Sequence, residues 1–499
     1  MKEHKIYLYG AAVQGIQSFI FQTNELKDIV GASELVEWIC TQCFEKYIGH
    51  GELIVSAAGN IKCIYTDEEE CRKAVKEFPK EVMLSAPGIT ISEAVVDMTN
   101  GMTFDQAVEE LEKRLRVQRN KPFPSMTLGF MGVERSRKTG LPAVKIDKDD
   151  FIDQGTLRKR QNNTWEKMKE GSSTTHKLYI KSFGLESINP KNIPLDSDKM
   201  TSDNNWLAII HADGNGLGMI VSSIGKDKDM LKSFSEKLDK ATTNAARKAF
   251  ATIVEEEKID LAKDTIPFRP IVLGGDDLTM ICRADLALHF TEIFIKNFEE
   301  GTRSFISEMH NNDASLPIYH LTACAGIAYI KSSYPFYYGY QLAESLCERA
   351  KRDTKSSGIT PAPSCLMFHK VQSSFVESFD EISRKELTPC KGHSFEFGPY
   401  YINEKKGYWT ISDLAQKTKK LESKSGNAIK SDIRQWMTLL NEDEGKAKQK
   451  AIRVCDVSSD KESALFKSAT DGIKRNSDII YHPAYDMLSI HTINTIITK

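Results

Sequence analysis

Residues 270–281 read Pro-Ile-Val-Leu-Gly-Gly-Asp-Asp-Leu-Thr-Met-Ile, two apolar runs joined by Gly274, Gly275, Asp276 and Asp277. Short apolar runs separated by glycine and aspartate predict two β-strands and the tight turn of a hairpin. A hairpin alone buries too little apolar surface to be stable in water. The elements on either side of this stretch therefore decide the fold.

The flanking sequence predicts a mixed unit around the hairpin. Apolar spacing predicts an opening strand at 207–210, a helix at 230–254, a helix around 286–293, a strand at 321–330 and a helix at 343–350. The order is βαββαβ with one helix appended. This order is typical of an antiparallel sheet with helices on one face, a ferredoxin-like or palm-like module.

The same order of elements occurs earlier in the chain, when residues 6–119 are compared with 207–352. The first copy opens with an apolar strand at 6–9, continues with a helical stretch at 16–47, and has its hairpin turn at 57–60. We therefore predict an α+β fold with two ferredoxin-like palm modules packed as a pseudo-dimer.

Composition shifts along the chain divide it into four predicted segments. These are a first palm at 1–130, a polar connector at 131–204, a second palm at 205–359 and a helical C-terminal domain at 360–499.

Bulk composition narrows the class of protein. The 499 residues include 67 Lys plus Arg and 69 Asp plus Glu, so a formal charge of −2 provides no global basic field for nucleic acid. The sequence shows no export signal and no stretch of roughly 18 apolar residues. We therefore expect a soluble cytoplasmic protein without a membrane partner, whose ten cysteines are reduced.

Three aspartates are the candidate catalytic and metal-binding residues. Asp213 follows the opening strand of the second palm, and in a βαββαβ sheet this strand lies beside the hairpin that carries Asp276 and Asp277. Three adjacent carboxylates repel one another, and their hard oxygen atoms suit Mg²⁺ or Mn²⁺. A two-ion centre for nucleotidyl transfer fits, in which the ions activate a 3′-hydroxyl and steady pyrophosphate.

The residues around these aspartates are predicted to bind the substrate. Positive φ angles at the two hairpin glycines would allow a tight turn. The loop after the opening strand leads into the start of a helix, where backbone N–H groups can bind phosphate. A lysine near the end of the last helix is a candidate ligand for the triphosphate. The candidates are Gly214, Asn215, Gly216, Gly274, Gly275 and Lys351.

Alternative interpretations of these motifs stay open. An Asp-Asp pair in a hairpin turn is commonly solvated turn chemistry, although the first copy places Ala57-Ala58-Gly59-Asn60 at its turn and Ala11 near the position of Asp213. The same turn therefore forms without carboxylates, which favours the metal interpretation. Lys351, between Arg349 and Arg352, also suits a charged helix end.

The motif set resembles the large, polymerase-like subunit of type III CRISPR effector complexes. The resemblance covers about residues 5–355 and rests on the hairpin and aspartate loop above, and on further short motifs: 13–20, 26–35, 325–328, 334–336 and 350–351. It implies that ATP bound where the palms meet becomes cyclic oligoadenylate, with the second palm catalytic. It also implies guide or target RNA and other type III subunits as partners, including a small helical subunit.

The chain departs from this family pattern in two places. No His-Asp pair of a nuclease domain precedes Lys5, so we expect no DNase activity. The connector has no cysteine, so we expect no zinc there, and the isolated Cys40 and Cys43 pair suits core packing better than a zinc site.

Two further stretches have alternative roles. The connector is rich in Lys and Arg around Trp165, which suits either RNA contact or a solvated loop. The aromatic run at 335–340 suits either base stacking or a core position. For the whole chain, the leading hypothesis is a cyclic oligoadenylate synthase in an RNA-guided complex. Two alternatives stay open: a catalytically silent scaffold of such a complex, and a synthase that works alone.

Overall fold

The computed structural model describes most of the chain. The described residues are 5–57, 59–99, 101–121, 131–147, 149–161, 174–184, 190–201, 205–312, 316–372, 378–475 and 478–494. They fall into two compact units. One comprises Met1–Lys199, Gly216–Thr279 and Glu300–Leu321, and the other comprises Met200–Asn215, Met280–Glu299 and Thr322–Lys499.

The first palm is a four-stranded antiparallel sheet in the order β2-β3-β1-β4. Its strands are β1 (Tyr7–Gln14), β2 (Glu52–Ala57), β3 (Asn60–Tyr65) and β4 (Thr90–Asp97). Leu8 on β1 packs in a buried cluster with Leu111 and Leu115. These two leucines lie one turn apart on one helix face, so this face anchors the helix to the sheet.

The helices of the first palm are α1 (Ile16–Ile20), α2 (Leu26–Trp38), α3 (Phe44–Ile48), α4 (Glu68–Ser85) and α5 (Phe104–Arg119). The single helix predicted over 16–47 is therefore wrong in detail. The chain leaves helical geometry between α1 and α2, and α2 continues into α3 through a π-helical turn, Ile39–Cys43. Cys40 and Cys43 lie in this turn as buried free thiols, and burial raises the pKa of each to about 12.

The connector contains regular structure in its described parts. It forms β5 (Ala143–Asp147), β6 (Asp150–Asp153), α6 (Gln154–Gln161) and α7 (Thr174–Phe183). The first two strands pair as a hairpin.

Two basic residues of the connector, Lys159 and Arg160, have structural roles. The Arg160 Nε atom lies 2.7 Å from a carboxylate oxygen of the fully buried Asp28. Lys159 is buried, and its ammonium donates to the Phe19 carbonyl oxygen at 2.7 Å. Neither predicted role, RNA contact or solvated loop, fits these two side chains, because their charges are used inside the unit. Trp165, Lys167 and Lys169 lie outside the described residues.

The second palm belongs to a six-stranded sheet in the order β13-β11-β10-β7-β9-β8. Its strands are β7 (Trp206–Asn215), β8 (Phe268–Gly274), β9 (Asp277–Arg283), β10 (Thr322–Lys331), β11 (Cys365–Lys370) and β13 (Tyr400–Tyr401). The part β10-β7-β9-β8 repeats the order β4-β1-β3-β2 of the first palm. The predicted α+β fold with two ferredoxin-like modules is thus confirmed.

Four helices accompany the second palm: α8 (Leu217–Ile224), α9 (Lys228–Glu256), α10 (Ala284–Asn312) and α11 (Phe336–Ser356). Packing requires glycine at position 326 of β10, because a Cβ atom on Gly326 would lie 1.9 Å from the Ala343 carbonyl oxygen of α11. Only glycine allows α11 to approach the sheet this closely.

Past residue 360 the chain first extends the sheet. Strand β11 pairs in parallel with β10, and β13 pairs with β11. The boundary predicted at 359/360, between the second palm and the C-terminal domain, thus falls just before a strand of the same sheet. Whether it separates two domains stays a prediction.

The rest of the tail is mainly helical, as predicted. Its helices are α12 (Phe379–Lys385), α13 (Ile411–Lys420), α14 (Lys424–Glu442), α15 (Glu444–Val457), α16 (Asp460–Thr470) and α17 (Ala484–Asn494), beside a small sheet of β12 (His393–Ser394), β14 (Ile473–Lys474) and β15 (Ile480–Tyr481). Among the described helices of the chain, none combines the length and apolar character required to cross a bilayer.

Candidate active site

The candidate site is built at one end of neighbouring strands. Strand β7 ends at Asn215, and β9, its neighbour in the sheet, begins at Asp277 after the two-residue turn Gly275 and Asp276. Gly275 has a φ of 62°, a left-handed backbone that favours glycine. The prediction of positive φ is correct for Gly275, whereas Gly274 closes the extended strand β8.

The three predicted carboxylates come together. One carboxylate oxygen from each of Asp213, Asp276 and Asp277 lies within 4.8 Å of the others, and all three residues are half-buried. Half-burial leaves the oxygen atoms reachable from solvent while it reduces their hydration. A set of hard oxygen donors at this spacing fits a divalent cation of the Mg²⁺ or Mn²⁺ type.

Lys351 reaches the same place from helix α11. Its ammonium forms an ion pair with the Asp213 carboxylate and donates to the Gly214 carbonyl oxygen at 3.0 Å. Burial is the largest single effect on the pKa of Lys351 and works to lower it, but the charge of Asp213 and the hydrogen bond to it, together with smaller effects, hold the pKa above its ordinary value. Its side chain is only 16% exposed. Its role as a phosphate ligand stays a prediction.

Asn215 does not fit its predicted place at the substrate. It is 5% exposed, and its amide donates to Thr322 Oγ1 and Cys324 Sγ, each at 3.3 Å. Both partners lie on β10, which pairs with β7. The side chain therefore turns into the sheet, and we assign it to holding the end of β7 in register.

The loop after β7 is shaped by glycine. Gly216 has a φ of 94° and stands at the N-cap of α8. A Cβ atom there would also lie 2.7 Å from Ile318 Cδ1. The Gly214 carbonyl oxygen accepts a hydrogen bond from Lys351. Gly214 therefore contributes a backbone acceptor that holds the lysine.

Sequence reasoning missed a residue that anchors the acidic turn. The Thr242 hydroxyl of α9 is fully buried and lies 2.6 Å from the Gly275 carbonyl oxygen and 3.0 Å from that of Leu238. It can donate to one of them at a time. The sequence did contain a sign of this contact, because Thr242 is a polar residue beside the apolar positions Leu238, Ala241 and Ala245 of the same helix.

Strand β8, which leads into the acidic turn, lies at the edge of its sheet and accepts hydrogen bonds from outside it. Ser33 of α2 donates to the Ile271 carbonyl oxygen, and Lys181 of α7 donates to that of Leu273 at 3.0 Å. Side-chain donors on an edge strand replace the missing partner strand. The first palm and the connector thus both hold β8.

Aromatic residues near the site divide into core and surface. Phe336 and Tyr340 are buried, whereas Tyr337 and Tyr338 are 37% and 47% exposed. The ring of Tyr340 packs edge-on against His211. Burial lowers the pKa of His211 to about 4, so this half-buried histidine is neutral near pH 7.

Comparison with known families identifies the second palm. Residues 206–359 match the family described as Cas10/Cmr2, second palm domain. The second palm is Cas10-like. The predicted resemblance to the large subunit of type III CRISPR effector complexes is confirmed, with the acidic turn and Lys351 inside the matched segment.

Solved structures also share the fold of this chain. A chain of the Csm1–Csm4 cassette in complex with pppApA matches with a TM-score of 0.58 and 13% identity, covering 100% of this chain and 70% of that one. The cassette in complex with cA4 matches with a TM-score of 0.56 and 12% identity at the same coverage. The Csm1–Csm4 subcomplex of the type III-A CRISPR-Csm interference complex gives 0.51 and 14%, again at that coverage. No curated protein matches the sequence.

Proposed function

We propose that this chain is a nucleotidyltransferase that converts ATP into cyclic oligoadenylate in type III CRISPR-like antiviral defence. The carboxylate cluster of Asp213, Asp276 and Asp277 on a Cas10-like palm carries the proposal. Proteins of similar fold have been crystallised with one ATP, with pppApA and with cA4, which supports adenine nucleotides as substrate and product.

In the proposed reaction, Asp213, Asp276 and Asp277 hold two Mg²⁺ or Mn²⁺ ions. When bound, such ions lower the pKa of an attacking hydroxyl and neutralise charge on the transferring phosphoryl group. The reaction joins the 3′-oxygen of one ATP to the α-phosphorus of another and releases pyrophosphate.

The chain's own residues set the position of the carboxylates. Lys351 fixes one oxygen of Asp213 and thereby limits the rotation of that side chain. Thr242 restrains the turn that carries Asp276 and Asp277 through the Gly275 carbonyl. Preorganised ligands need little rearrangement when substrate arrives, which favours catalysis.

We further propose that the chain works with other type III subunits. The matched structures contain Csm1 with Csm4, and one is titled as part of an interference complex. Guide or target RNA and a small helical subunit are proposed partners on the same basis.

The experiment incubates purified chain with each labelled NTP and Mg²⁺ or Mn²⁺, with and without RNA, and resolves products by mass spectrometry. The double variant Asp276→Asn, Asp277→Asn is the inactive control, and Asn60→Ala in the first palm is the matched control. Cyclic oligoadenylate from the wild type and from Asn60→Ala, absent in the double variant, is expected.

The outcomes separate the alternatives. A dependence on RNA places the enzyme in a guided complex, and activity without RNA favours a synthase that works alone. Undiminished product from the double variant would contradict the assignment of these carboxylates. If no product forms with any nucleotide, even after a Csm4-like partner is added, the result would favour a catalytically silent scaffold.

A further inference from the structure

A second polar pocket lies in the unit that contains β7, far from the acidic site. It encloses about 430 Å³ and is lined by the end of β11, one face of α14 and one face of α17. Its volume is within the roughly 300–1,000 Å³ of small-molecule sites. No residue of this pocket belongs to the aspartate cluster.

The pocket lies near the opposite end of the central strands. Trp206, the first residue of β7, pairs with Lys331, and Lys370 of β11 pairs with Tyr329. Tyr329 itself pairs with Ala208 of β7, and Asp213 is five positions further along that strand, a distance of about 17 Å. A ligand in this pocket therefore does not contact the acidic site.

Cations gather at this end of the sheet. The ammonium groups of Lys331 and Lys370 lie over the Trp206 ring, at 4.3 and 4.9 Å from its centroid. Burial, followed by the charges of Lys331 and Arg434, lowers the pKa of Lys370. Among the residues that the structure describes, no carboxylate forms an ion pair with Lys370 or Arg434. Lys370 and Arg434 therefore offer positive charge to an anion, in a pocket that the Glu386 carboxylate also lines.

Two helices contribute polar groups to the pocket. Arg434, Thr438 and Asn441 are exposed on one face of α14. On α17, Ser489 is buried and Thr492 is half-buried, beside the apolar Leu488. Polar groups therefore reach the pocket from two sides.

The lining offers donors and acceptors to different parts of a ligand. The hydroxyl groups of Thr438 and Thr492 donate to carbonyls of their own helices, so toward the pocket they present lone pairs. The Glu386 carboxylate adds a further acceptor. Lys370 and Arg434 suit phosphate, while these acceptors suit the hydroxyl and amino groups of a nucleoside.

We propose that this pocket is a second site on the chain and binds a nucleoside phosphate. The proposal does not depend on the chemistry at the aspartates. The ligand is a mononucleotide or a short 5′-phosphorylated oligoadenylate, which share the nucleoside phosphate unit.

The test is equilibrium dialysis of the full chain against radiolabelled AMP, ATP and 5′-phosphorylated triadenylate in EDTA. The chain carries Asp276→Asn and Asp277→Asn, so the acidic site does not contribute. Binding is then measured after Lys370→Gln with Arg434→Gln. The matched control is Arg453→Gln with Lys461→Gln, two exposed cations of α15 and α16 outside the pocket.

The proposal expects saturable binding of one probe molecule per chain. The pocket variant should weaken it at least about tenfold, because two charged donors are lost, and the control should stay within about twofold. The probe that binds tightest separates mononucleotide from oligoadenylate. Circular dichroism and thermal melting of both variants report that folding is unchanged.

Three outcomes would overturn the proposal. The first is no saturable binding of any probe. The second is equal weakening in the pocket and control variants. The third is affinity that keeps rising with RNA length up to about 30 nucleotides, because that result would assign the cations to an RNA surface. Failure of the wild type to make cyclic product leaves this binding experiment unaffected, so the two proposals fail separately.

Discussion

The two palms share a strand order but differ in the charge at one turn. Each hairpin places a glycine in left-handed backbone, Gly59 with a φ of 82° and Gly275 with a φ of 62°. The first residue of the following strand is Asn60 in the first palm and Asp277 in the second. The turn therefore forms without carboxylates. The aspartates of the second palm need another reason, and the proposed metal-dependent chemistry would supply one.

The palms also differ in what surrounds the sheet. In the first palm the sheet ends at four strands, whereas β11 and β13 extend the second. Helix α11 packs tightly on the second sheet at Gly326 and brings Lys351 to Asp213. The acidic site thus depends on a helix position as well as on a turn.

Loss of a single carboxylate charge in the second palm should have the largest effect on product formation. Asp277→Asn is expected to lower product formation at least about 10⁴-fold, equivalent to about 5.4 kcal/mol of transition-state stabilisation, because an oxygen ligand loses its charge. Asn60→Ala, at the matching place in the first palm, should retain activity. Turnover of labelled ATP measures both, and equal losses would contradict the distinction between the palms.

Acid should destabilise the C-terminal part of the chain and spare the first palm. Burial lowers the pKa of His369 and of His482 to about 4, below the ordinary 6.5. As pH falls below about 6.5 the unfolded chain takes up protons that the folded chain refuses, so stability decreases until about pH 4. At pH 5 the expected loss is about 2 kcal/mol for each histidine.

Hydrogen exchange at pH 7 and pH 5 measures this acid effect. Amides of β11 and of the small C-terminal sheet should lose protection, while those of β1 and β3 keep it. His482→Gln should reduce the pH dependence. Protection that falls equally in the first palm would contradict the expectation.

Alanine at the two turn glycines should separate stability from activity. Each substitution forces a side chain into left-handed backbone at a cost of about 1 kcal/mol. A Cβ atom at Gly59 would also lie 2.7 Å from Ile16 Cδ1, whereas one at Gly275 meets open space. Gly59→Ala should therefore destabilise more in urea titration, and Gly275→Ala should lower turnover more. The reverse ranking would contradict this comparison.

The smallest expected effect is at Thr242. Thr242→Val removes the hydroxyl that contacts the Gly275 carbonyl and should cost about 1 kcal/mol, with a few-fold drop in turnover. Thr252→Val on the same helix is the control, since the Thr252 hydroxyl donates to a carbonyl of its own helix. Equal turnover in the two variants would show that the anchor has no effect on the site.

Local patterns were enough to predict the sheets and the acidic cluster. The repeated βαββαβ order fixed which strands are neighbours, and that adjacency brought Asp213 to Asp276 and Asp277. The division of the helix predicted over 16–47 was less accessible. The chain leaves helical geometry between α1 and α2, and α2 continues into α3 through a π-helical turn that no spacing rule signals.

Side-chain directions and distant partners were beyond sequence reasoning. Arg160 is paired with Asp28, 132 residues away, so its basic neighbourhood suggested a surface role that the ion pair rules out. Asn215 turns into the sheet because its partners lie on β10. Lys351 was found by its motif, but its contact with Asp213 required the packing of α11 on β10.

The most direct test of the account is binding of Mn²⁺ in the presence of a nonhydrolysable ATP analogue, followed by electron paramagnetic resonance. We predict two Mn²⁺ ions per wild-type chain, two in Asn60→Ala, and loss of both from the double variant Asp276→Asn, Asp277→Asn. Equal Mn²⁺ binding by the wild type and the double variant would contradict the claim that the second palm holds the catalytic metals.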